Sequence, residues 1–215
     1  MKIILKSSIL LLLFVFLMSE IALAVTATVN PDPYTIIMKK ARLRNSVTLE
    51  WVTVGESDLS VNIASVNAGE LAAGYVSGSA IPEGTYDQIE VTLDRDMTVK
   101  ASYTDSGNIF AGGAGTIYYT TSTAGVGGSI QASNSAASYA EGSCKVPSTI
   151  SGVDTTADTY TKTYNLPSTI TVAKGSTQKV RVKFDVSNSV TFEQTGAGTA
   201  VAYPTEPSVE MQIIN

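Results

Sequence analysis

Apolar and polar residues alternate one for one along much of this chain, the period of a strand with one buried and one wet face. The cleanest run is Gln88-Ile89-Glu90-Val91-Thr92-Leu93-Asp94, with Ile89, Val91 and Leu93 on one side. The stretch from Gln178 to Val186 repeats it, setting Val180, Val182, Phe184 and Val186 inward and Lys179, Arg181 and Lys183 outward. Leu59, Val61 and Ile63 form a third set, and Val209, Met211 and Ile213 a fourth. Strands patterned this way belong to antiparallel sheets whose apolar faces pack together.

Between Tyr34 and Arg44 the alternation changes phase. Ile36 and Met38 share one parity, whereas Ala41 and Leu43 share the other. A switch at Lys39-Lys40 predicts a β-bulge or a change of sheet. Shorter strands are expected at Glu50–Val54, Met97–Tyr103, Thr116–Thr121, Thr159–Tyr164, Ile170–Val172, Val190–Glu193 and Thr199–Tyr203. No window carries a helical stripe, and Val66–Ala73 offers one short helical turn at most. Turn chemistry punctuates the strands: Ile81-Pro82-Glu83-Gly84 precedes the clean run, Ala173-Lys174-Gly175-Ser176 precedes the second, and Pro204 and Pro207 flank a bend before the last.

From Ser106 to Ser151 the composition shifts to Gly, Ser, Ala and Thr, with Glu141 and Lys145 the only charged residues. This 106–151 insertion reads as a flexible surface excursion, ordered in part at Ile117-Tyr118-Tyr119. The opposite end of the chain carries an address. Lys2 and Lys6 precede an apolar run from Ile9 to Met18, and Ala22-Leu23-Ala24 supplies the small residues that signal peptidase reads. Residues 1–24 are therefore expected to be a signal peptide, with Val25 the new N-terminus. The run is short for a membrane span, and neither a lipid-accepting cysteine after it nor a long apolar C-terminus offers a stable anchor. The expected location is secreted, extracellular or periplasmic.

Charge and composition narrow the function. The chain of 215 residues carries a net charge of −5, and loss of the signal peptide takes it to about −6. Nucleic-acid binding, which needs a basic stripe, is not expected. Histidine is absent, which excludes a Ser-His-Asp triad, a Cys-His pair and His-ligated zinc or copper. The single cysteine, Cys144, cannot form an internal disulfide; a buried small apolar residue, an intermolecular bridge and a reactive thiol are its three readings.

Other candidate chemistry is thin. Asp94-Arg95-Asp96, and Asp154 with Asp158, could offer oxygens to calcium, but a hard cation needs six to eight. A Ser-Lys nucleophile at Ser176-Thr177-Gln178-Lys179 lacks its companion motifs. The row Lys179, Arg181 and Lys183 could meet an anionic polymer, though such a row also protects a strand edge. No catalytic, cofactor-binding or metal-ligating residues are assigned, no cofactor is expected, and the protein reads as a non-enzyme.

The string Ile81-Pro82-Glu83-Gly84-Thr85-Tyr86-Asp87-Gln88-Ile89-Glu90-Val91-Thr92-Leu93 resembles the I-P-x-G-x-Y-x-x-I-x-V-x-L element of secreted prealbumin-like domains, among them a prokaryotic family of unknown function. Upstream, Ile36–Leu43 and Trp51-Val52-Thr53-Val54 resemble the same family, as does the stretch from Val172 to Asp185 near its closing hairpin. The resemblance implies a sandwich of seven or more strands and a secreted or surface-attached protein. Many members look like lipoproteins, whereas this chain lacks the lipid-accepting cysteine.

The expected fold is thus all-β, an antiparallel β-sandwich of prealbumin-like or immunoglobulin-like type. Residues 25–215 form one domain, with the 106–151 insertion inside it. The expected function is an exported structural or interaction domain at the cell surface or in the extracellular matrix. Its partners are itself or other surface proteins, and one version self-assembles through the N-terminal strand Val25–Asn30. That segment could equally complete its own sheet. The alternative function is a carbohydrate- or metal-binding module.

Overall fold

The computed structural model describes residues 24–65, 81–146, 154–155, 158–173 and 179–214. The signal-peptide run, the short turn at Val66–Ala73 and most of the turn at Ala173–Ser176 lie outside the described residues.

Chain order gives β1 (Thr26–Val29), β2 (Tyr34–Asn45), β3 (Trp51–Asn62), β4 (Gly84–Asp94), β5 (Asp96–Val99), β6 (Ser102–Asp105), β7 (Thr116–Ala124) and β8 (Ile130–Ser133). They are followed by β9 (Gly142–Lys145), β10 (Asp154–Thr155), β11 (Thr159–Val172), β12 (Lys179–Asp185), β13 (Val190–Gly196), β14 (Thr199–Pro204) and β15 (Ser208–Ile214). Apart from two 3-10 turns, no helix occurs among the described residues. The alternating runs are strands: the clean run lies within β4, the second is β12, and the last lies within β15.

Every pairing is antiparallel. One six-stranded sheet runs β1-β13-β14-β8-β7-β6. In a second sheet, β2 is flanked by β3 on one side and by β4 and then β5 on the other. Beyond these, β11 pairs with β4 and β9 with β5, while β12 and β15 form a separate ribbon. The architecture is an antiparallel β-sandwich.

Two apolar clusters hold it together. The larger lies between the sheets and joins Tyr34, Ile36, Val61, Met97 and Val99 to Phe110, Tyr118, Ile130, Val190 and Phe192. The smaller gathers Ala41, Leu43, Val54, Tyr86, Ile89, Leu166 and Ile170, with Val209 of β15 against it. β2 feeds both, and the parity switch explains how. From Met38 to Lys40 the strand takes two steps while β4 takes one, from Leu93 to Thr92. Lys39 is the extra residue of a bulge, which keeps Tyr34 and Ile36 on the same face as Ala41 and Leu43.

The outer face of β2 is consumed in charge pairing. Lys40 lies opposite Glu56 of β3 at 3.2 Å, Arg42 opposite Glu90 of β4 at 2.5 Å, and Arg44 meets Asp87 at 2.6 Å. Cross-strand pairs of opposite charge fix register more than they add stability.

The Gly/Ser-rich stretch departs from its expected looseness. It supplies β7 and β8 to the middle of one sheet and β9 to the other. Its small residues answer to close contact: a Cβ on Gly142 would come within 2.4 Å of Ile130 Cγ2 and 2.5 Å of the Thr121 carbonyl. Glycine is needed where the sheets approach this closely.

Candidate functional site: an aromatic cleft at one end of β2

Strand ends that are far apart in sequence converge on a cleft of about 390 Å³. Its floor is Tyr34 at the start of β2, Met97 of β5 and Cys144 of β9. One wall is Tyr160 and Lys162 of β11, and the other is Val201 and Tyr203 of β14 with Glu193 and Thr195 of β13. The rim combines the 3-10 turn at Val126–Gly128 with the bend Pro204–Pro207. Apolar walls with a few placed polar groups are the usual makeup of a recognition site.

The polar groups are in fixed states. The Tyr34 hydroxyl lies 3.3 Å from both the Met97 sulfur and the Thr205 carbonyl, two acceptors for its one proton. Burial pushes the Tyr34 and Tyr160 hydroxyls well above the usual phenol range. Burial also raises Tyr203, helped by the nearby Glu193 carboxylate, to which it is hydrogen-bonded. All three are protonated at neutral pH, and Tyr34 and Tyr203 donate within the protein. Lys162 forms an ion pair with Glu206 at the mouth, and Lys145 sits 3.7 Å from Asp158. Cys144 is buried, with its sulfur 3.5 Å from the Met97 carbonyl, and burial pushes its thiol up to about 12. It matches the buried-residue reading.

A second feature stands at the far end of β2. The loop Ser46–Leu49 joining β2 to β3 is pinned by Asn45, whose side-chain oxygen accepts from Val47 N at 2.9 Å and Thr48 N at 3.0 Å. The Leu49 amide donates to the Asn45 carbonyl at 2.9 Å, which leaves Leu49 at a left-handed φ of 63°. That region costs an L-residue about 1–2 kcal/mol. Val47 is 81% exposed and Leu49 61%, so this stiff loop holds two aliphatic side chains in water.

The residues singled out by sequence fall elsewhere. Asp94 and Arg95 build the corner between β4 and β5: Asp94 accepts from Asp96 N at 2.9 Å and pairs with Lys39 at 3.1 Å, while Arg95 donates to the Val146 carbonyl at 2.7 Å. Asp158 accepts Arg95 N through its carbonyl at 2.9 Å. Among the described residues no group of three His, Cys, Asp or Glu is placed to hold a metal. Lys179, Arg181 and Lys183 lie on β12, and Ser176 lies outside the described residues. The N-terminal segment completes its own sheet, β1 pairing with β13 from Thr26↔Glu193 to Val29↔Val190.

The cleft itself was invisible to sequence reading, because its lining runs from Tyr34 to Pro207 with no local motif. The only local hint was the Pro204–Pro207 bend. No helix among the described residues is long and apolar enough to cross a membrane. No curated protein and no solved structure matches the chain. A family model does, over residues 28–200, and it is described as a domain of unknown function, DUF4382. That span covers most of the sandwich, from β1 into β14, and the chain belongs to the DUF4382 family.

Proposed function

We propose that this protein is an exported, non-enzymatic interaction domain that works at the cell surface or in the extracellular matrix, with the aromatic cleft as its recognition site. The observation that carries this reading is the state of the cleft's polar groups. Lys162 is paired with Glu206, Lys145 with Asp158, and Glu193 with Tyr203. A phenol is protonated near neutral pH, burial of Tyr34 and Tyr160 raises them further, and Tyr34 and Tyr203 donate within the protein, so none of the three is set to act as a base. Such a set holds and orients a partner. The signal-like run before Val25 supports export.

Two measurements test it together. N-terminal sequencing of the protein recovered outside the cytoplasm should begin at Val25. A photo-crosslinking amino acid placed at Val201, inside the cleft, should trap a partner in intact cells, whereas one at exposed Thr104 of β6 should not. Protein that begins at Met1 in the cytosol, or equal trapping at both positions, would overturn the reading. A carbohydrate ligand is the second reading, favoured by tyrosine hydroxyls set among apolar walls. Glycan binding that is lost in Tyr203→Phe would support it.

A further inference from the structure

Nearly every polar side chain of the cleft already has a partner. The Tyr34 hydroxyl lies 3.3 Å from the Thr205 carbonyl, Tyr203 donates to Glu193, and Ser129 donates to the Val126 carbonyl at 2.6 Å. Lys162 pairs with Glu206 and Lys145 with Asp158, so each charged side chain of the lining is matched. Tyr160 is the exception, since its hydroxyl makes no hydrogen bond among the described residues. Only the Tyr118 hydroxyl is both sealed from solvent and unpaired among those residues, so the Tyr160 oxygen is open to the cleft. An occupant therefore meets one free donor, matched charges and walls of tyrosine, valine and proline.

Buried polar groups need hydrogen-bond partners, so an occupant that brings N–H groups would leave them competing for acceptors already in use. An apolar occupant that brings only acceptors avoids that cost. Among polypeptide segments this is the property of proline, whose nitrogen carries no hydrogen, whose carbonyl still accepts and whose ring is apolar. Consecutive prolines also hold an extended helix before binding, so little freedom is lost when they dock against aromatic rings. The cleft of about 390 Å³ stands at the small end of the roughly 300–1,000 Å³ of ligand pockets. That suits about one turn of such a helix, roughly three residues over about 9 Å.

We infer that the cleft binds a proline-rich segment of a partner protein, with Tyr34, Tyr160 and Tyr203 against proline rings and the Tyr160 hydroxyl donating to a carbonyl of the segment. This rests on the cleft being a recognition site and names what enters it. The matched charges of the lining select against a charged segment, and the single free donor sets where a carbonyl must fall.

Calorimetric titration of the processed protein with capped hexaproline tests this, with capped hexaalanine and the free triester triacetin as comparison ligands. Hexaproline should bind, and hexaalanine, which carries N–H groups, should bind about fivefold more weakly or worse. Tyr160→Phe keeps the ring and removes the donor. It should weaken hexaproline about fivefold, the worth of one neutral hydrogen bond, and leave the urea midpoint in place because that hydroxyl has no partner in the folded chain. Thr195→Trp, at an exposed position on the lining, should abolish binding by filling the cleft. No binding of hexaproline, equal binding of hexaalanine, unchanged affinity in Tyr160→Phe, or tighter binding of triacetin would overturn the proposal. A Val201 crosslink that still captures a partner in cells while hexaproline fails removes this proposal and leaves the recognition reading standing; failure of both removes both.

Discussion

The bulge in β2 makes deletion safer than insertion at one position. Lys39 is the extra residue against β4, and removing it brings Met38 and Lys40 into unbroken register with Leu93 and Thr92. Tyr34, Ile36, Ala41 and Leu43 then share one parity without a bulge. What is lost is Lys39 with its ion pairs to Asp94 and Asp58 and some readjustment against β3, within the ordinary range of single changes, about 1–2 kcal/mol. Inserting one alanine between Lys39 and Lys40 does the opposite. The strand must then either carry two unmatched residues between Met38 and Lys40 or slide Ala41 and Leu43 two places along β4, which keeps them inward but moves Leu43 from Ile89 to Asp87. Sliding unseats Leu43 from the smaller core, at about 2–3 kcal/mol, and also separates Arg42 from Glu90 and Arg44 from Asp87.

An insertion cost of about 3 kcal/mol or more is a large part of the 5–15 kcal/mol typical of a domain. Urea unfolding followed by the fluorescence of Trp51, the only tryptophan, reads both variants. The deletion should keep a single cooperative transition close to native, and the insertion should lower the midpoint sharply or abolish the transition. A deletion that costs as much as the insertion would refute the assignment of Lys39 as the bulge residue.

Three further predictions concern single groups. The Tyr118 hydroxyl is buried with no hydrogen-bond partner among the described residues, so Tyr118→Phe should raise the unfolding free energy by about 1 kcal/mol in chemical denaturation; a loss of similar size would contradict this. Burial pushes the Cys144 thiol up to about 12, so a thiol reagent at neutral pH should label the native protein only as fast as it unfolds, and rapid stoichiometric labelling would count against that burial. The hydrogen bond from Arg44 holds the Asp87 carboxyl below its ordinary value, so its contribution is present above the usual carboxylate range and is lost as pH falls through the lowered value. Asp87→Asn should therefore flatten the acid limb of a stability-against-pH profile, and an unchanged limb would show that the pair does not persist in solution.

Much of the fold was legible because large apolar residues mark its strands. The alternation in β4 and β12, the phase change at Lys39-Lys40 and the edge placement open to Val25–Asn30 all have physical counterparts. The stretch from Thr159 to Val172 is one strand with an irregularity between Asn165 and Ile170, where sequence suggested two. β8 and β9 were hidden for a different reason. Each is four residues long and rests on one or two buried residues, Ile130 in the first and Gly142 and Cys144 in the second, among Gly, Ser and Ala. Small residues chosen for close approach look like the small residues of a flexible loop. The cleft was illegible because it is made by convergence of strand ends, which no local pattern encodes.

Crosslinking from inside the cleft in intact cells tests the central claim, that the cleft receives a partner, most directly. A photoreactive residue at Val201 should give a discrete crosslinked species, and that species should disappear when Thr195→Trp, a change at an exposed position on the lining, fills the cleft. No crosslinked species at Val201, or one that persists unchanged in the filled variant, would contradict it.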